Sequence, residues 1–192
     1  MHPRRLSGKV DMAVTYPFIQ ARNYTKGRAG HTPRLIVIHT METPETEGRA
    51  KQVAAWFAGT TAPQASAHYM CDDKQVIQSV LETDTAWAVD DYALNQESIS
   101  IEHAGSAAQT PAQWGDGYSV AELHVSAALA ADIARRNHIP LVKLSPEDVL
   151  AGKAGFCGHN DITLAKKIAG GHSDPGANFP WDAYLKAVAM VP

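Results

Sequence analysis

Arg34-Leu35-Ile36-Val37-Ile38-His39 is an apolar run of strand length that ends on a histidine. A run that is apolar at successive positions, rather than at alternate ones, suits a central strand buried on both faces, and the C-terminal end of such a strand opens at a surface crevice. The stretch therefore argues for an α/β sheet and puts His39 where a site is expected. On its N-terminal side, residues 1–33 are polar and rich in turn formers, without sustained periodicity. They read as an arm laid over the domain, with 34–192 as the domain itself.

On the C-terminal side, Thr43-Pro44-Glu45-Thr46 makes a turn, and 47–59 carries Val53, Trp56 and Phe57 at helical spacing with Gly59 as a stop. Residues 66–71 and 75–80 flank Asp72-Asp73-Lys74 as a hairpin. Ser98-Ile99-Ser100-Ile101-Glu102-His103 alternates strictly, so Ile99, Ile101 and His103 share one face and Ser98, Ser100 and Glu102 the other. With the apolar face on the core, Glu102 points to the polar side and His103 into the interior. After a soft loop over 105–117, residues 119–138 read as a long Ala-rich helix, with Ser119 and Glu122 as a capping box and Pro140 as terminator. Ser145-Pro146 opens a short helix, and 181–191 forms a last one. Strands and helices intermingle without a repeat or linker, which predicts a single α/β domain with a central mixed β-sheet flanked by helices.

Composition narrows the function classes. The chain has 192 residues, with 17 Lys and Arg against 20 Asp and Glu and a formal net charge of −3. That balance lacks the basic footprint of a general nucleic-acid or membrane-surface binder. Met1-His2-Pro3-Arg4-Arg5 is basic, but no apolar stretch of useful length follows it, so no secretory signal is expected. Nor does any run approach the roughly 18 apolar residues of a membrane span. A soluble monomer made in a cytoplasm is expected. The two cysteines, Cys71 and Cys157, have neither scaffold nor zinc-finger spacing.

Histidine stands out: nine of them, against six tyrosines and four phenylalanines. Catalytic zinc takes three protein ligands from imidazole, thiolate and carboxylate and leaves a fourth position open. His39, His159 in Phe156-Cys157-Gly158-His159-Asn160-Asp161, and Asp174 in His172-Ser173-Asp174-Pro175-Gly176 meet that count, but they form no local motif. Singly, each has an ordinary structural role open to it: a core histidine, a cap, and the first residue of an Asp-Pro-Gly turn. Cys157, His159 and Asp161 would share a face if all three stood on one strand, imitating a Cys-His-Asp hydrolase triad. Same-face neighbours on a strand are about 6–7 Å apart, however, and such triads are gathered from separate segments. Trp87, Trp114 and Trp181 read as core anchors, with Trp87 and Trp114 as alternative walls of a glycan groove.

In order along the chain, L-I-V-I-H-T, S-A-H-Y-M, T-A-W, N-Q-E-S-I-S-I-E-H-A-G, G-H-N-D-I and H-S-D-P-G-A-N-F-P-W resemble the blocks of the zinc-dependent N-acetylmuramoyl-L-alanine amidases of type 2. That group includes phage lysozyme-type amidases, cytosolic muropeptide amidases and peptidoglycan recognition proteins. The resemblance implies their common fold, a Zn2+ ion on His39, His159 and Asp174, and Glu102 in the position of the catalytic glutamate. It further implies peptidoglycan as substrate, cut between N-acetylmuramic acid and L-alanine at the bacterial wall, and the role of a phage endolysin module. His172 stands where relatives often carry Lys, and by resemblance holds the oxyanion or the substrate. Two departures qualify the match: Ala88-Val89-Asp90 replaces a His-Ala-Gly, and Ala67 stands where phage lysozyme-type members have a catalytic tyrosine. The implied alternative is a binding module of the same fold that hydrolyses nothing.

Overall fold

The computed structural model describes residues 15–192. The basic N-terminal pentapeptide and the first part of the proposed arm lie outside them. In chain order the elements are β1 (Tyr24–Thr25), β2 (Leu35–Thr40), α1 (Arg49–Ala58), β3 (Tyr69–Cys71), β4 (Val76–Gln78), β5 (Thr85–Ala86) and α2 (Tyr92–Gln96). They continue with β6 (Ser98–His103), α3 (Pro111–Trp114), α4 (Gly117–Asn137), α5 (Pro146–Leu150), β7 (Gly155–Gly158), α6 (His159–Lys166) and α7 (Trp181–Met190).

Five strands form one mixed sheet in the order β4-β3-β6-β2-β7, in which only the β3–β4 pairing is antiparallel. β2 lies inside the sheet, between β6 and β7, and is buried throughout, as its unbroken apolar run requires. Its side chains divide between two cores. Ile36 and Ile38 join Ile99, Ile101 and the buried face of α4 and α7, while Leu35 and Val37 join Leu144, Val149 and Ile162. Helices thus cover both faces, and this corrects the simple picture of β6. Its serine face is not solvated: Ser98 and Ser100 are buried, with Arg28 donating to the Ser98 carbonyl and the Ser100 N–H donating to His68. Only Glu102, at the strand's end, opens to a cavity.

The arm is stitched on at several points. β1 pairs with β5, Ile19 and Ala21 bond to Gln78 and Ser79, and the buried Arg28 guanidinium donates to the carbonyls of Glu82 and Gln96.

Three local readings change. α4 begins two residues earlier than expected, capped by Asp116, whose carboxylate accepts from the Tyr118 and Ser119 N–H groups. Ser119 and Glu122 are not a capping box. Ser119 bonds the Glu45 carboxylate, and buried Glu122 accepts from Ala104 N–H at 2.6 Å. Trp56, expected on the buried face of α1, is 53% exposed. The imitation triad, which strand spacing already argued against, is absent: β7 stops at Gly158 and His159 starts a helix, so Cys157, His159 and Asp161 do not share a strand face. Cys157 packs in the core beneath α5 and α6, where burial pushes its thiol up to about 12. Asp161 is tied to Lys143 and to the Gly158 N–H. The triad does not exist.

Candidate metal centre

Register alone brings the first side chains together. In the parallel β2–β6 ladder His39 pairs with Glu102, and paired residues of such a ladder project to the same face. β7 pairs Gly158 with Ile38, so His159, the next residue, emerges at the level of His39. All three side chains therefore leave the sheet at the carboxyl ends of parallel strands, where open α/β sheets place their ligands.

Asp174 comes from the loop between α6 and α7, and Gly158 lets it approach. A Cβ there would meet Pro175 Cδ at 2.6 Å, and the Asn160 N–H holds the Asp174 carbonyl at 2.9 Å. On the far side of the turn, Gly176 at φ 89° packs against the Ala107 backbone, where a Cβ would collide. The Asp174 carboxylate is thereby set between two imidazoles, 3.1 Å from His39 Nδ1 and 3.3 Å from His159 Nδ1.

The electrostatics follow from burial. His39, His159 and Asp174 are 2, 4 and 5% exposed. Burial opposes the Asp174 charge, but hydrogen bonds from His159 and His39 outweigh it and hold this carboxylate below the usual range. Burial lowers the His39 pKa, leaving a neutral imidazole. Glu102 is pushed well above the ordinary carboxylate range by burial and by the charges of Asp174 and Glu42. Its Oε2, like the Nε2 atoms of His39 and His159, is buried with no hydrogen-bond partner among the described residues.

These residues fit a divalent metal. One ligand atom from each of His39, His159 and Asp174 lies within 4.8 Å of the others, and two nitrogens with one carboxylate oxygen is a set that catalytic zinc accepts. Glu102 Oε2, buried without a partner beside this cluster, is a rare feature in a folded protein and calls for an explanation such as an ion or a water. A second grouping, Asp90 with His159 and His172, has mutual distances as short. Its two imidazoles are stacked at 4.3 Å and 13°, which leaves their in-plane lone pairs parallel rather than convergent.

His172 stands at the mouth. Its side chain is 58% exposed, with Nδ1 3.6 Å from Asp174 and Nε2 4.0 Å from Asp90. His68 is distant in role, buried among Arg28, Ser100 and Asp84 and pushed down to about 3 by burial and the Arg28 charge. Of the tryptophans, Trp114 is core, while Trp87 lines the site cavity.

Sequence reasoning missed several cavity residues. The cavity, about 660 Å³, is also lined by Glu42, Arg49, Trp56 and Asp90. Glu42, at φ 51°, accepts from Thr40 Oγ1 and the Ala107 N–H, which ties the end of β2 to the 105–109 loop. The available signals were its position three residues after His39 and, for Asp90, its place in the block that departs from relatives.

The profile of the N-acetylmuramoyl-L-alanine amidase family matches residues 29–177. No curated protein sequence matches. Among solved structures, the Staphylococcus aureus hydrolase AmiA in complex with its ligand aligns at TM-score 0.63 and 16% identity, over 93% of this chain and 85% of that one. A mutant endolysin from Bacillus subtilis aligns at 0.61 and 17%, covering 91% and 99%. The amidase LysC from Clostridium intestinale URNW aligns at 0.55 and 12%, covering 93% and 100%. At these identities the structures speak for the fold, which is the mixed α/β architecture expected. With its profile matched over most of its length, the chain belongs to the N-acetylmuramoyl-L-alanine amidase family.

Proposed function

We propose that the peptidoglycan amidase activity of this family is carried out here with a zinc ion held by His39, His159 and Asp174, with Glu102 as the proton-transfer group. The observation that carries the reading is the convergence of two buried imidazoles and a buried carboxylate beside an unpartnered glutamate. When bound, zinc supplies Lewis acidity, which polarises a carbonyl and lowers the pKa of water to about 7.

The protein's own groups do the rest. Asp174, between the two imidazoles, would balance the ion's charge. Glu102, raised by burial, is set to hold a proton taken from the attacking water and to give it to the L-alanine nitrogen, which must be protonated to leave. His172, exposed beside Asp174, is placed to donate to the developing oxyanion or to the substrate. Trp56 and Trp87 on the cavity wall offer apolar surface to the glycan or the peptide.

In this reading 1–33 is an arm on a catalytic domain of 34–192, supported within the described residues 15–33 by the β1–β5 pairing and by buried Arg28. The protein works as a monomer on the bacterial wall, without nucleic acid or membrane as partner, and serves as a phage endolysin module. No helix of the described residues is long and apolar enough to cross a membrane.

Metal analysis tests the reading. One zinc per chain is expected, lost in Asp174→Ala, with hydrolysis of purified sacculi stopped by a chelator and restored by zinc. A metal-free protein that binds sacculi without turnover would replace this reading with the binding module.

A further inference from the structure

Directly behind the metal centre, on the other face of β6, a buried polar chain crosses an otherwise apolar core. His103 Nδ1 lies 3.1 Å from the carbonyl oxygen of His39, and its Nε2 lies 2.6 Å from Ser126 Oγ on α4. Ser126 Oγ is in turn 2.7 Å from the Tyr184 hydroxyl on α7. His103 and Ser126 are fully buried and Tyr184 is 1% exposed. Chemistry fixes the direction of every bond. A carbonyl can only accept, so Nδ1 carries the hydrogen of the neutral ring, Nε2 accepts from Ser126, and Ser126 accepts from Tyr184. Edge contacts to Phe179 and Tyr184, with centroids at 5.9 and 6.0 Å, hold the imidazole in that plane.

We propose that the chain Tyr184–Ser126–His103 is a positioning device for the metal ligand His39, fixing the backbone of that residue from behind the sheet so that the docking of α7 on α4 sets metal affinity. The proposal rests on the reading of His39 as a ligand. Packing alone does not account for it. An apolar residue at 103 would fill the same core, whereas a ring bonded at both nitrogens aims a donor at one carbonyl, that of the ligand. Outer partners of metal ligands typically contribute about 10–100-fold in affinity or activity. His103 acts through the ligand's main chain, one step further out, so the low end of that range is expected.

The test uses the zinc-loaded full chain and chelator competition. Ser126→Ala and Tyr184→Phe each remove one hydroxyl. Each should weaken zinc binding by about tenfold, and the double variant should lose no more than the worse single one, because a broken chain cannot be broken twice. Val188→Ala, which trims the same helix in the same core, should lower Tm to a similar degree and leave zinc affinity unchanged. The ¹⁵N shifts of His103 should show hydrogen on Nδ1 and a bare Nε2. Wild-type affinity in both hydroxyl variants, an equal loss in Val188→Ala, or hydrogen on Nε2 would overturn the proposal. A wild-type chain without zinc affinity would defeat the metal reading first, and the proposal with it, a failure separable from the others because it appears before any variant is made.

Discussion

At the level of single residues, adjacent positions on one strand do opposite work. Glu102 and His103 are neighbours in sequence, yet strand alternation sends the carboxylate into the cavity and the imidazole into the core. Burial shifts both groups, pushing Glu102 up and His103 down to about 4, and each shift favours the neutral form. Glu102→Gln is isosteric and replaces none of the proposed ligands. Turnover should fall by about 10²–10⁴-fold, the usual contribution of general acid–base catalysis, while zinc stoichiometry stays at the wild-type value. Loss of zinc in this variant would move Glu102 from proton transfer to ligation. His172→Ala tests the other assigned role. An oxyanion donor contributes about 2.7–4 kcal/mol, so kcat should drop by that amount with zinc retained. A change confined to KM would make His172 a substrate contact instead.

At the level of elements, what could be read in advance was what periodicity records. β2 and β6 were legible because an unbroken run and a strict alternation each have one structural meaning, and their register joins His39 to Glu102. The start of α6 was not legible. β7 passes straight into the helix at His159, and four strand residues followed by eight helical ones are too few for either period to declare itself in the sequence. α2 and α3 are too short for a helical period to show, although Thr110 and Gln113 form a capping box. Ser119 and Glu122 had cap spacing but were taken by tertiary partners, which no local pattern reveals. Gly158 tests how firmly the junction of β7 and α6 holds the Asp174 loop. Its φ of −88° suits any residue, so Gly158→Ala carries no backbone strain, and its methyl would collide with Pro175 beside Asp174 while standing 3.4 Å from Asp161 Oδ2 and the Asp174 carbonyl. Zinc affinity should therefore fall more than global stability. Equal zinc affinity in this variant would show that the Asp174 loop has room to shift.

Across the whole molecule, the core contains several ionisable groups held in their neutral forms, and this makes stability depend on pH. Glu122 has no exposure, and burial raises its pKa well above 4.5. Folding therefore favours its protonated form, while the unfolded chain releases the proton above about 4.5. This contribution is complete below that pH and is lost as pH rises toward the folded pKa, by about 1.4 kcal/mol per unit. Glu122→Gln keeps an acceptor for the Ala104 N–H and has no proton to lose. Its stability relative to wild type, from urea midpoints at pH 5 and pH 8, should rise with pH. A constant difference would mean that Glu122 stays ionised in the folded state. The same architecture, helices on both faces and one sheet edge of three carboxyl ends, gathers the ligands from segments far apart in sequence. Composition advertised nine histidines but could not show that two of them meet Asp174.

The most direct test is the appearance of new amino groups in purified peptidoglycan. Zinc-loaded protein should release stem peptides with free N-terminal alanine, and neither the chelated protein nor Glu102→Gln should do so. Release that survives chelation, or stoichiometric zinc without any release, would contradict a zinc amidase built on His39, His159, Asp174 and Glu102.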